Sequence, residues 1–164
     1  REALLTRPWD VVTLQQQSAA SADADSFEPY LTEIAALVRK CCPKAAVWIH
    51  QSWAYEEGSR HMQNVCVDTA SEMLTRLTKN YADAAQRIGA DGILPSGALM
   101  NALVLSGVSP VYRDGLHASY DVGRWALGLL WAETLLGRTV ETKFTAGIDE
   151  KTLDHIRADV QQER

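Results

Sequence analysis

Three short, continuous apolar runs limit the folds open to this chain: Val11-Val12-Thr13-Leu14, Ala45-Ala46-Val47-Trp48-Ile49 and Gly92-Ile93-Leu94. A strand with one wet face alternates apolar and polar residues, whereas a strand covered on both faces reads as an unbroken apolar run. Between these runs the apolar residues recur every three or four positions, the period of a helix with one buried face. Phe27, Tyr30, Leu31, Ile34, Leu37, Val38 and Cys41 form the first such set, from about Ser26 until Pro43 stops it. Met62, Val65, Cys66, Thr69, Met73, Leu77, Tyr81, Ala84 and Ile88 form the second, read as one long helix ending before Gly89. Strands alternating with helices predict an open α/β fold with a parallel sheet.

Each predicted strand runs straight into polar residues. Gln15-Gln16-Gln17-Ser18 follows the first, His50-Gln51-Ser52-Trp53-Ala54-Tyr55 the second, and Ser96-Gly97 the third. Open α/β sheets bind ligands at the carboxyl edge of their strands, so these clusters are expected to share one cleft. The Gln15 and Gln17 amides have hydrogens to donate there. Trp53 and Tyr55 offer flat rings of the kind on which sugars stack, with His50 beside them. Ser96 lacks a Gly-x-Ser-x-Gly elbow and reads better as the cap of a helix over Ala98–Leu105 than as a nucleophile.

The most pointed chemistry lies further on, in Pro110-Val-Tyr-Arg-Asp114-Gly-Leu-His117-Ala-Ser119. Asp114 and His117 stand three apart with Gly115 between them. A carboxylate so placed can accept the proton of one imidazole nitrogen and leave the other basic. Ser119 is expected to cap a largely apolar helix running from about Tyr120 to Leu136. A short last helix should start at Asp149 or Thr152, with Leu153, Ile156 and Val160 inward.

Composition narrows the function classes. With 164 residues, the chain reads as one domain, and its net charge is -5. That charge, with no Lys/Arg cluster among aromatics, argues against a nucleic-acid partner. No apolar run approaches the roughly 20 residues of a membrane span. Cys41, Cys42 and Cys66 have neither disulfide-framework nor zinc spacing, so no metal or cofactor is expected. The first residue is Arg and no signal-peptide pattern follows, which leads to the expectation of a chain cut at its front and leaves the compartment open.

Three segments together carry a resemblance over nearly the whole chain: Trp9-Asp-Val-Val-Thr-Leu-Gln-Gln-Gln-Ser18, Ile49-His-Gln-Ser-Trp-Ala-Tyr55 and Asp114-Gly-Leu-His-Ala-Ser119. In this order they resemble a Bacteroidetes-rich, domain-of-unknown-function branch of the SGNH (GDSL-type) hydrolases. The resemblance implies a flavodoxin-like three-layer α/β/α fold and ester hydrolysis, often of acyl groups on carbohydrates. It matches His117 to the general base and Asp114 to the residue that orients it. The glutamine run stands where the superfamily supplies an amide to the oxyanion hole, with Gln17 the nearest match and Gln15 a second candidate. The nucleophilic serine block and the glycine block of the superfamily have no counterpart here. The expectation is therefore a domain missing its first strands, with Val11–Leu14 left as a bare edge for an N-terminal fragment or a second copy to cover. Two functions stay open: an esterase whose serine lies outside this chain, or a non-catalytic glycan-binding module with a degenerate hydrolase site.

Overall fold

The computed structural model describes residues 2–164. Its centre is a parallel sheet of β1 (Val11–Leu14), β2 (Ala46–His50) and β3 (Gly92–Leu94) in the order β1-β2-β3. All three strands fall where the apolar runs predict them. Because side chains alternate across a strand, Val47 and Ile49 point to one face and Trp48 and His50 to the other. Val47 and Ile49 join a core with α2 (Tyr30–Cys41) and α3 (Ala70–Ile88), built on Ala35, Val38, Met73, Leu77, Tyr81 and Ala84. On the other face, the His50 ring packs edge-on against Trp131 of α5 (Val122–Leu136), with ring centroids 4.7 Å apart. There α5 forms a second core with α4 (Ser96–Leu105) and α6 (Glu150–Glu163), through Leu99, Leu103, Leu130, Leu153 and Ile156. The sheet thus lies between two helical layers. A short α1 (Glu2–Leu5), which no pattern in the sequence predicts, packs near α2.

Helix starts depart from the periodicity for local reasons. The first long helix begins at Tyr30 rather than Ser26, because Pro29 has no N–H to donate and suits a helix start; Phe27 is buried from a preceding 3₁₀ turn. The second begins at Ala70 rather than Met62. Thr69 takes the Glu72 amide at 3.1 Å as its N-cap, and the 60–64 stretch forms a separate 3₁₀ turn. Cys66, expected on the inner face, is exposed as a result. The helix read from Tyr120 starts at Val122 behind Asp121. Ser119 still serves it, since its hydroxyl accepts the Gly123 amide at 2.8 Å. Asp149 caps the last helix by accepting from Thr152 at 3.1 Å.

At Gly92 the large Trp48 ring lies across the neighbouring strand where a Cβ would sit, so a side chain there would have to displace that ring. Among the described residues β1 pairs with β2 alone, so its outer edge carries no strand.

Candidate active site

Parallel strands in register bring their last residues into one row. Leu14 pairs with Ile49, so Gln15 falls beside His50, and His50 pairs with Leu94, two residues before Ser96. The side chains meet there. His50 Nδ1 bonds Gln15 Oε1, His50 Nε2 lies 3.0 Å from Ser96 Oγ, and Trp131 Nε1 donates to the same hydroxyl at 3.2 Å. Burial disfavours the charged imidazole and lowers the His50 pKa from 6.5 to about 4. Ser96 is 0% exposed and makes no side-chain cap to α4, contrary to the capping expected of it. Its hydroxyl instead joins the histidine to the tryptophan.

The polar loops behind this row are held from below. Tyr81 OH lies within hydrogen-bond reach of Ser52 Oγ at 3.1 Å and of the Gln16 carbonyl at 3.3 Å. Ser21 and Ser52 hydroxyls meet at 3.1 Å, and Asn80 Nδ2 donates to the Ser21 carbonyl at 3.0 Å. These buried bonds fix the segment after β1 against the segment after β2 and against α3. Gln17 lies further out: its Oε1 accepts the Ala20 amide at 2.8 Å and its side chain is otherwise at the surface. Gln15, rather than Gln17, is the glutamine placed at the strand row.

Asp114 and His117 form a close pair. Both carboxylate oxygens face His117 Nδ1, at 2.9 and 3.1 Å, and Asp114 Oδ1 also accepts the His117 and Leu116 amides at 2.8 and 3.2 Å. The His117 amide and its ring, in that order, hold the Asp114 carboxyl well below the usual carboxylate range. The His117 side chain is 56% exposed, and its Nε2 has no hydrogen-bond partner among the described residues. Gly115 permits the turn. Its φ of +80° is strained for any other residue, and a Cβ there would overlap the Ser59 side chain.

The loop carrying this pair is docked rather than loose. Trp53 Nε1 donates to the Leu116 carbonyl at 2.8 Å, the Glu56 amide to the Gly115 carbonyl at 2.9 Å, and Tyr112 OH to the Ala54 carbonyl at 2.9 Å. Trp53 therefore spans the two halves of the site, because its ring also stands 6.2 Å from that of His50. Tyr55 does not form an exposed wall with it. Its ring is 3% exposed and its hydroxyl bonds Ser18 Oγ at 3.0 Å, since Tyr55 points into the core that Met73 also fills. The surface expected for sugar stacking is thus reduced to the half-buried Trp53. Arg113 flanks the pair, donating to Tyr120 OH at 2.6 Å and approaching Asp114 at 3.3 Å. Among the described residues, no three His, Cys, Asp or Glu side chains gather as a metal site would require.

Trp131 is the site residue that sequence reasoning missed. Ser96 was expected at the cleft as a polar residue just past a strand, but as a helix cap and not as a partner of His50. Trp131 sits in an apolar helix among other large side chains, where nothing in the pattern marks it as a donor.

Comparison with solved structures supports this architecture. A DUF4886 family protein from Bacteroides uniformis ATCC 8492 superposes with a TM-score of 0.88 at 25% identity, over 98% of this chain and 64% of that one. The chain thus spans under two thirds of that protein's length. A candidate SGNH hydrolase from Slackia heliotrinireducens superposes with a TM-score of 0.61 at 24% identity, over 81% of this chain and 69% of that one, which shows a shared fold. No curated protein matches the sequence. The family model for DUF4886, a domain of unknown function, matches residues 1–152, and the chain belongs to that family.

Proposed function

We propose that the complete protein is an SGNH-type serine ester hydrolase, with His117 as general base and Asp114 as its orienting partner. The observation that carries this reading is the Asp114–His117 pair itself: Nδ1 is held by a carboxylate at 2.9 Å while Nε2 is unpartnered among the described residues and its ring is open to solvent. A base for a hydroxyl needs that arrangement: one ring nitrogen held by a carboxylate and the other free.

In the proposed reaction the serine oxygen attacks the ester carbonyl carbon as its proton passes to His117 Nε2. Asp114 stabilises the imidazolium, and the Gln15 amide donates to the developing oxyanion. The leaving alcohol takes the proton from Nε2, and water then releases the acid from the acyl-serine by the same base. The serine is assigned to a segment outside these 164 residues. Ser96 is 0% exposed, and Ser119 is 3% exposed with its hydroxyl donated to the Pro110 carbonyl at 2.7 Å, so neither can serve. The same longer polypeptide is proposed to cover the open edge of β1, in keeping with the greater length of the Bacteroides uniformis relative. Acylated carbohydrates are the substrate class that the superfamily resemblance favours.

The test is hydrolysis of a chromogenic acetate and of acetylated xylan by the complete protein, with labelling by a fluorophosphonate. Hydrolysis with a labelled serine supports the proposal. Glycan binding with neither hydrolysis nor labelling would replace it with the binding-module reading.

A further inference from the structure

An oxyanion donor at Gln15 must turn its amide nitrogen, not its oxygen, toward the substrate. A free glutamine has little preference between the two, but the surroundings of His50 remove that freedom. Trp131 Nε1 carries a hydrogen and can only donate, and its partner at 3.2 Å is Ser96 Oγ. Ser96 is 0% exposed, and among the described residues its hydroxyl meets only Trp131 Nε1 and His50 Nε2. With Trp131 occupying an acceptor position, the Ser96 proton has one acceptor to reach, His50 Nε2. A neutral imidazole that accepts at Nε2 carries its own proton on Nδ1, which faces Gln15 Oε1. Burial keeps the imidazole neutral at neutral pH.

The reverse arrangement has a physical defect. If the Gln15 amide were turned over and His50 carried its proton on Nε2, both His50 and Trp131 would aim hydrogens at one serine oxygen. The Ser96 proton would then be buried with no acceptor. That single orphaned proton selects between the two amide orientations.

We propose that Trp131, Ser96 and His50 form a donor-to-acceptor relay that holds the Gln15 side-chain oxygen and leaves its NH₂ free at the exposed carboxyl edge of the sheet, to meet the developing oxyanion. The proposal rests on the hydrolase reading for its purpose but not for its geometry. The three are positioning residues: they act on substrate only through Gln15. Despite its contact with a histidine, Ser96 is the middle of the relay and not a nucleophile.

Two readouts separate the relay from the hydrolase reading. Two-bond ¹H–¹⁵N spectra of the labelled protein at neutral pH report which His50 nitrogen is protonated. The relay requires Nδ1–H in the wild type and a mixture of tautomers in Trp131→Phe and in Ser96→Ala, the second a small change that spares both rings. A wild-type His50 protonated at Nε2 would overturn it. In ester hydrolysis, Gln15→Ala should lower kcat about 10²-fold, and Trp131→Phe or Ser96→Ala about tenfold with KM little changed. The Gln15→Ala/Ser96→Ala double variant should be no slower than Gln15→Ala, because the relay has no other route to the reaction. Multiplied losses would overturn the relay. An inactive wild type with Nδ1–H would instead sink the hydrolase reading and leave the orientation of Gln15 standing.

Discussion

Trp53 donates its indole hydrogen to the Leu116 carbonyl at 2.8 Å, and this bond ties the segment after β2 to the loop that carries Asp114 and His117. Leu116 immediately precedes His117, so the bond sets where the imidazole stands relative to the strand row. Trp53→Phe keeps most of the ring and removes the donor. The expected outcome is faster amide hydrogen exchange over residues 113–118 and a fall in kcat of about tenfold or more, with KM affected less. Unchanged exchange would show that the loop is held by its other bonds alone.

If His117 and Asp114 act as proposed, their loss should differ in cost. General-base catalysis typically contributes about 10²–10⁴-fold. His117→Ala is expected to remove most turnover of a chromogenic acetate by the complete protein. Asp114→Asn keeps the side chain's size but loses the carboxylate that holds Nδ1, and should cost less than His117→Ala. Steady-state kinetics of the two variants check the order.

Gly115 makes a specific demand on the backbone. Gly115→Ala must hold φ at +80° and displace Ser59, which together should destabilise the fold or its loop by about 1–3 kcal/mol. Urea unfolding measures the global part, and faster amide hydrogen exchange over residues 113–118 before global unfolding would mark the local part.

His50 gives stability a pH dependence whose sign follows from its lowered pKa. Between 6.5 and about 4 the unfolded chain binds a proton at this position that the folded chain does not. Stability should therefore fall as pH drops through that window, by roughly 2 kcal/mol after allowance for partial exposure. Asp114 acts in the same direction only lower, as pH falls below the ordinary carboxylate value of 3.8. Denaturant midpoints at pH 7 and pH 4.5, for the wild type and His50→Gln, test this; the variant should show the shallower change.

The open edge of β1 should be closed in the complete protein. Hydrogen exchange is expected to show slow amides on both sides of Val11–Leu14 there, and faster ones on the outer side in the 164-residue chain alone. Concentration-dependent association of the short chain would point to a second copy at the same edge.

The parallel sheet could be read from residue order alone, because a strand buried on both faces must be apolar throughout. The Asp114–His117 pair was equally legible, since three residues and one glycine are enough for a carboxylate to reach a ring nitrogen. Both are local relations, which sequence spacing expresses directly. The row of Gln15, His50, Ser96 and Trp131 is not local. It joins positions 35 to 46 residues apart through strand register and the packing of α5 on one face of the sheet. Tyr55 makes the same point in reverse: its neighbours suggested a surface ring, but the strand's exit direction sent it into the core. Which side of the sheet a residue faces, and which distant helix meets it there, is set by packing between elements. Only the folded arrangement could turn a serine at a strand end and a tryptophan in an apolar helix into partners of one histidine.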